Sequence, residues 1–252
     1  MTIIHISGNS EPIFGAIKQG VEVKLILLDC DGVLIDSENL AAVKFIQLLS
    51  NRGLNIDEDI WQKELAGLSI KSKYKLIEDK YHKTFSAYDI AEIENEIEQE
   101  LFLNVQPVPG VINFLQTINK YNLPFCIVSN SGIQRIRRLL QSAGLLSYFL
   151  DDHIFSANMV ANCKPAPDLF LHAAKAFNCP VANCLVIEDS HIGIGASNAA
   201  RMKSIAFLGG QHAQNALYKK MVIDQDPNFV CQTMANVVEQ LECLVSNKRS
   251  TI

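Results

Sequence analysis

Short apolar runs alternate with amphipathic segments over most of the chain. The apolar runs at residues 23–28, 125–129, 184–187 and 204–208 have the length and composition of buried strands. Between and around them, apolar residues at helical spacing predict helices at residues 111–121, 134–143, 168–177 and 192–200. Strands that alternate with helices in this way predict an α/β fold with a doubly wound parallel sheet.

Residues 38–105 interrupt the alternation. Their apolar positions predict four helices and no strand. Ser69 and Ser86 are predicted to cap the third and fourth of these helices, and Asp89 stands at the capping-box position after Ser86. The proline- and glycine-containing segment 107–110 ends the block. An all-helical domain is therefore inserted after the first strand, where it would lie over the strand ends as a cap.

The length of 252 residues and the apolar content of 48% allow one core domain with a smaller companion. The predicted division is an N-terminal extension at 1–20, a core domain at 21–36 and 108–245, a helical cap domain at 37–107 and a tail at 246–252.

The composition excludes several classes of partner. A net charge of −5 argues against non-specific binding of nucleic acid or of an anionic membrane surface. No apolar stretch approaches the roughly 18 residues that a membrane-spanning helix needs, and the N-terminus lacks the pattern of a signal peptide. The seven cysteines show no Cys-x-x-Cys spacing, and Cys126, Cys184 and Cys243 lie in apolar runs. We expect reduced, buried cysteines in a cytoplasmic protein that is a monomer or a weak dimer.

Two carboxylates follow the first apolar run. Because alternate residues of an extended chain share a face, Asp29 and Asp31 should point the same way while Cys30 turns away. Carboxylates this close repel each other unless a proton or cation lies between them, and Mg²⁺ prefers such oxygen ligands. The alternative is a simple strand-end turn, in which Asp31-Gly32 reverses the chain and Ser37 caps the next helix.

Three more polar groups stand at predicted strand ends or helix starts. Ser129-Asn130-Ser131 closes the second strand, where a hydroxyl and backbone N–H groups would bind phosphate or simply cap a helix. Lys164 precedes a Pro-x-Pro segment that would direct its ammonium inward, although a lone lysine is usually a surface charge. Glu188-Asp189 adds negative charge, which a divalent cation and Lys164 would balance.

These groups, in this order, resemble the four motifs of the haloacid dehalogenase superfamily, over about residues 23 to 210. The resemblance implies that Asp29 is the nucleophile, forming an aspartyl-phosphate, and that Asp31 is the general acid and base. It further implies Mg²⁺ held by Asp29, the backbone carbonyl of Asp31 and Asp189, with Glu188 as a ligand or neighbour. Ser129, the backbone of Asn130, and Lys164 would hold the phosphoryl oxygens.

Within the superfamily the motifs resemble the group of β-phosphoglucomutases and sugar-phosphate phosphatases, such as those acting on 6-phosphogluconate. The mutases usually carry a histidine and an arginine where this chain has Ala41 and Ile70. We therefore expect a Mg²⁺-dependent phosphatase of small phosphorylated metabolites, with a phosphosugar mutase as the alternative. The arginines at 135, 137 and 138 and the lysines at 71, 73 and 75 are expected on solvated helix surfaces.

An alternative from another class is a phospho-receiver signalling module, which also combines an acceptor aspartate, acidic Mg²⁺ ligands, a hydroxyl residue and a lysine on a doubly wound sheet. Receivers place the acidic pair on the first strand and the acceptor later, and they need only about half this length in one domain. The order of motifs in this chain favours the phosphatase.

Overall fold

The structure is a computed structural model that describes residues 22–65, 68 and 70–246. Six parallel strands form one sheet in the order β3-β2-β1-β4-β5-β6. The strands are β1 Leu25–Leu28, β2 Phe125–Ser129, β3 Ile154–Ser156, β4 Cys184–Glu188, β5 Lys203–Phe207 and β6 Phe229–Cys231. The predicted fold class, a doubly wound parallel sheet, is confirmed.

Ten α-helices are described, and the first five follow one another between β1 and β2. They are α1 Ser37–Asn51, α2 Glu58–Ile60, α3 Ile70–Tyr81, α4 Ala87–Asn104, α5 Val111–Lys120, α6 Ile133–Ser142, α7 Asp168–Ala176, α8 His191–Ala199, α9 Ala216–Ile223 and α10 Met234–Ser246. A π-helical turn, Trp61–Leu65, continues α2. We call α1 to α4 the helical insertion. As predicted, its described residues contain no strand.

The central strand β1 is buried on both faces because its four residues are all apolar. Leu25 and Leu27 belong to the apolar cluster that includes α7 residues, while Ile26 and Leu28 belong to the larger cluster that includes α5, α6 and α10 residues. In register, Leu28 stands between Ile127 of β2 and Ile187 of β4. Residues that follow Leu28 therefore emerge at the carboxyl edge of the sheet, between two other strand ends.

Aromatic side chains form the centre of the helical insertion. The Phe45 ring lies 5.5 Å from Trp61 and 5.6 Å from Tyr74, and Tyr74 lies 5.1 Å from Phe85, measured between ring centroids. The predicted capping box is present, because the Ser86 hydroxyl accepts from the Asp89 N–H and the Asp89 carboxylate accepts from the Ser86 N–H. The other predicted cap, Ser69, lies outside the described residues.

The two chain segments that join the insertion to the sheet are bonded to each other. The Asp36 N–H donates to the Gln106 carbonyl at 2.9 Å, and the Val108 N–H donates to the Leu34 carbonyl at 2.9 Å. These hydrogen bonds fix the positions of the segment that enters the insertion and the segment that leaves it relative to each other.

The seven cysteines all lie in the described residues and are all free. Cys243 is exposed, so the prediction that it is buried is wrong; it lies on the solvent side of α10, whose apolar spacing leaves that position outside the core. Among the lysines of α3, Lys71 and Lys75 are exposed as predicted, but Lys73 is half-buried with its ammonium 4.6 Å from the centre of the Trp61 ring. None of the described helices has both the length and the apolar character needed to span a membrane.

Candidate active site

A cleft of about 190 Å³ lies at the carboxyl edge of the sheet. The structure brings all the predicted site residues together in this cleft: Asp29, Asp31, Ser129, Asn130, Lys164, Glu188 and Asp189. Glu38 of α1, the first helix of the insertion, and Tyr218 of α9 line it as well.

Lys164 is buried, and its ammonium has three acceptors. It donates to Asp29 Oδ1, to Glu188 Oε1 and to the Val128 carbonyl, each at 2.7 Å. An ammonium has three donor hydrogens, so all of them are used. The prediction that this lysine points inward is therefore confirmed.

Asn130 fixes the backbone that carries Lys164. Its side-chain amide donates to the Lys164 carbonyl and accepts from the Lys164 N–H, both at 3.0 Å. Beside it, the buried Ser129 hydroxyl accepts from the Ser131 N–H at 3.1 Å, which leaves its own O–H as a donor.

Asp31 accepts hydrogen bonds from three side chains. Ser37 Oγ donates at 2.7 Å, Ser131 Oγ at 3.2 Å, and Arg135 Nη1 lies 3.2 and 3.0 Å from the two carboxylate oxygens. The alternative interpretation of Ser37 as a helix cap is wrong, because Asp36 occupies the N-cap position. The prediction of a surface position for Arg135 is also wrong, because the side chain turns toward the strand ends.

Glu188 ends β4 and Asp189 follows it, and the two carboxylates have separate partners. The second Glu188 oxygen accepts from the Ser190 N–H and hydroxyl at 3.0 and 2.9 Å. Asp189 Oδ2 lies 2.8 Å from Nε2 of the buried His212, an ion-pair distance at an angle poorly suited to a hydrogen bond. The Tyr218 hydroxyl donates to the Asp189 carbonyl at 3.3 Å.

Two glycines let these carboxylates approach the backbone. Gly32 has φ +79°, and a Cβ built on it would stand 2.1 Å from Asp189 Oδ2. A Cβ on Gly193 would stand 1.8 Å from Glu188 Oε1. Neither position can carry a side chain unless a carboxylate of the site moves.

The cleft is crowded with buried negative charge. Burial raises the pKa of Asp29 well above its ordinary value; the Lys164 ammonium opposes this, and the Glu188 and Asp189 carboxylates add to it. Burial also raises the pKa of Asp189 to about 6, against the effect of His212. For Lys164, burial by itself would lower the pKa, but Asp29 and Glu188 outweigh it and raise the pKa.

Residues 23–201 match the haloacid dehalogenase-like hydrolase family. The chain belongs to this family. The resemblance recognised from the motifs is thereby confirmed, and the phosphatase names of several relatives confirm the expected enzyme class.

The family members most similar to this chain include proteins named for different reactions. The 6-phosphogluconate phosphatase of Escherichia coli is 25% identical over 79% of this chain and 89% of its own length. A probable pseudouridine-5'-phosphatase of Drosophila melanogaster is 31% identical over 71% and 79%. The β-phosphoglucomutase of Bacillus subtilis is 25% identical over 86% and 96%.

A solved family structure has the same fold over nearly the whole chain. It is a hydrolase from Deinococcus radiodurans crystallised with phosphate and sodium, with a TM-score of 0.79, 25% identity, and coverage of 89% of this chain and 97% of that one.

Sequence reasoning missed several side chains in and around this cleft. His212 and Tyr218 follow the strand β5, and Arg135 with its partner Glu98 joins α6 to α4. For His212 the signal was its position soon after a predicted strand, which the other motif residues share. For Arg135 and Glu98 no local signal existed, since their meeting depends on how two distant helices pack.

Proposed function

We propose that the protein is a Mg²⁺-dependent phosphatase that hydrolyses small phosphate monoesters, sugar phosphates among them. The observation that carries this proposal is the pairing of Asp29 with Lys164 in a cleft that Asp31 also lines. A carboxylate held in place by an ammonium is a suitable nucleophile toward phosphorus, and a second carboxylate serves proton transfer.

In the first step an Asp29 oxygen attacks phosphorus, and the bond from phosphorus to the ester oxygen breaks. The electron pair leaves with that oxygen, and Asp31 supplies the proton that makes it an alcohol. In the second step water attacks the phosphorus of the aspartyl-phosphate, Asp31 takes up a proton from that water, and Asp29 is regenerated as phosphate leaves.

The transferring phosphoryl group carries negative charge, and this chain places donors for it around the cleft. Lys164 supplies a fixed positive charge, and the Ser129 hydroxyl supplies a hydrogen-bond donor. Preorganised donors of this kind account for most of the rate in phosphoryl transfer. Asn130 contributes by fixing the backbone of Lys164.

The donor set suits Mg²⁺. Asp29 and Asp189 offer carboxylate oxygens, Asp31 offers its carbonyl, and Glu188 lies beside them; Mg²⁺ needs only one or two carboxylates together with substrate oxygens. Among the described residues, no three acidic, thiol or imidazole side chains lie close enough together to hold a metal ion by themselves. A Mg²⁺ ion in this cleft would therefore depend on the Asp31 carbonyl and on substrate oxygens as well. Bound Mg²⁺ would neutralise charge on the phosphoryl oxygens and on the buried carboxylates that raise the pKa of Asp29.

The test compares wild type with Asp29→Asn on a panel of sugar phosphates, phosphoglycolate and p-nitrophenyl phosphate, with Mg²⁺ or with EDTA. We expect Mg²⁺-dependent release of phosphate that Asp29→Asn reduces about a thousandfold or more. Asp152→Asn, which changes an exposed carboxylate outside the cleft, should retain wild-type activity.

Two results would count against the proposal. Phosphate release that persists in Asp29→Asn would show that another group is the nucleophile. Conversion of β-glucose 1-phosphate when a bisphosphate primer is added, without phosphate release from any monoester, would make the protein a mutase.

A further inference from the structure

Arg135, a residue of α6, contacts both Asp31 and helix α4 of the insertion. Its Nη1 lies 3.0 Å from Asp31 Oδ2 and 2.9 Å from Ser131 Oγ, and its Nε donates to Glu98 of α4 at 3.1 Å. Asp31 belongs to the sheet edge and Glu98 to the insertion, so one guanidinium joins the two parts of the molecule beside the cleft.

The guanidinium is suited to this double contact. It is planar and carries its donors in a fixed fork, so binding one carboxylate at Nη1 and another at Nε determines its orientation completely. A lysine ammonium in its place would be a point charge and could not fix the plane in this way. Burial by itself would lower the pKa of Arg135, but Asp31 and Glu98 raise it, so the group stays charged.

Without Arg135, the donors to the Asp31 carboxylate among the described residues would be the two serine hydroxyls, Ser37 and Ser131. A hydroxyl group can rotate and donate its hydrogen to water instead. It therefore restricts the orientation of a carboxylate less than the charged, planar guanidinium of an arginine does. The side chains of Arg135, Asp31 and Glu98 are 28%, 22% and 30% exposed, which means that water still reaches them and that the ion pairs add little to stability. Orientation is therefore the effect that this arrangement supplies.

We propose that Arg135 is a positioning residue that sets the orientation of the Asp31 carboxylate, and that Glu98 acts by holding Arg135. This inference rests on the proposed function, in which Asp31 gives a proton to the leaving oxygen. A carboxylate displaced by a fraction of an ångström transfers that proton less well, whereas the attack by Asp29 is unaffected.

The test exploits the leaving group. An alkyl phosphate such as glucose 6-phosphate needs a proton on its leaving oxygen, while p-nitrophenyl phosphate releases a weakly basic phenolate that needs none. The readout is kcat/KM for each ester, because it reports the steps up to the first irreversible one, namely formation of the aspartyl-phosphate. Arg135→Met should lower kcat/KM about tenfold to a hundredfold for the alkyl ester, and less than about threefold for the nitrophenyl ester.

Arg138→Met is the matched control. Arg138 lies on the same helix and also contacts α4, with its guanidinium 3.9 Å from the centre of the Phe102 ring. It is not among the described donors to Asp31, which are Ser37, Ser131 and Arg135. It should leave the ratio of the two kcat/KM values at the wild-type level. Glu98→Ala should shift the ratio in the same direction as Arg135→Met, and the double variant should be no worse than Arg135→Met alone.

Each outcome decides the matter. A loss confined to the alkyl ester in Arg135→Met and Glu98→Ala supports the inference. Equal losses for both esters, or an unchanged ratio in either variant, would overturn it. The alkyl ester used is one that wild type hydrolyses in the panel; if wild type hydrolyses no ester of the panel, the proposed function itself fails and the inference fails with it. Urea unfolding of each variant shows whether a loss comes from an unfolded fraction.

Discussion

At the scale of single residues, the buried charges of the cleft depend on one another. Lys164 forms ion pairs with both Asp29 and Glu188, and all three are nearly inaccessible to water. Buried ion pairs add little net stability, but the loss of one member leaves uncompensated charge and is strongly destabilising. The main effect of these three side chains is therefore to hold charges at fixed positions in the cleft. Small displacements of any of them should lower activity more than they lower the free energy of unfolding.

Gly32 provides a test of that sensitivity. A methyl group at this position would force the tip of the Asp189 side chain away, because the built Cβ stands 2.1 Å from its Oδ2. Gly53 has a similar backbone, with φ +81° against +79°, but nothing within 4 Å of its Cβ. We expect Gly53→Ala to cost about 1 kcal/mol through the left-handed backbone alone and to retain full activity. Gly32→Ala should cost at least as much and lower kcat/KM about a hundredfold.

Urea unfolding measures the change in the free energy of unfolding of each variant, and phosphate release from one sugar phosphate measures the change in kcat/KM. If Gly32→Ala proved as active as Gly53→Ala, the close approach of Asp189 would have no role in catalysis.

The position of a site residue relative to the predicted strands determined whether it could be predicted from the sequence. Asp29, Ser129 and Glu188 directly follow or end apolar strands, and parallel strands bring such residues together whatever the details of packing. The partners of Asp31 were not predictable in the same way. Arg135 is 104 residues from Asp31 along the chain, and its position on an amphipathic helix resembles that of any surface arginine.

At the scale of elements, α4 is the helix of the insertion that reaches Arg135, and its start is separately stabilised. The capping box at Ser86 and Asp89 lies three turns before Glu98. We expect Ser86→Ala to lower the free energy of unfolding by about 1 kcal/mol at pH 7, since it removes the acceptor of the Asp89 N–H. Activity below the unfolding midpoint should stay at the wild-type level, because the cap contacts nothing in the cleft. A loss of kcat in the folded variant would contradict this.

Asp89→Asn tests the charge of the same cap. The Ser86 hydroxyl and N–H hold the pKa of Asp89 below its ordinary value of 3.8. The folded state thus favours the ionised carboxylate, whose contribution to stability is present above the unfolded pKa and is lost as pH falls through the lower, folded pKa. The urea midpoint of Asp89→Asn should lie below that of wild type at pH 7, and the difference should shrink at pH 3. A difference that grows on acidification would show the opposite linkage.

Element prediction failed where elements were short. The edge strands β3 and β6 have three residues each, which are too few to show the alternation of a strand. They form because the neighbouring strands provide backbone groups for hydrogen bonding. The four inner strands and the helices α5 to α8 match their predicted bounds to within about two residues, because their apolar positions are numerous enough to define a period. The helices α9 and α10 were not predicted.

At the scale of the whole molecule, the insertion and the sheet share one apolar core. The larger cluster includes Phe45 and Trp61 of the insertion together with Phe114 and Leu139 beneath the sheet. The insertion therefore packs on the sheet domain as part of the fold, and its first helix brings Glu38 to the rim of the cleft. The paired segments at Asp36 and Val108 connect the insertion to the sheet domain.

This geometry predicts selection by substrate size, within the proposed function. A cleft of about 190 Å³, with Glu38 of the insertion in its lining, has room for a phosphoryl group with a small organic body. We expect a polypeptide that continues on both sides of the ester to collide with the insertion. Free O-phosphoserine and the same residue within a ten-residue peptide carry the same ester, so their chemical reactivity is matched. We expect kcat/KM to be at least about a hundredfold lower for the peptide, because ΔΔG‡ then includes displacement of the insertion from its apolar contacts. Phosphate release measured under identical Mg²⁺ concentrations decides the point. Comparable values would mean that the insertion does not restrict entry, and that selectivity arises from the chemistry of the leaving group alone.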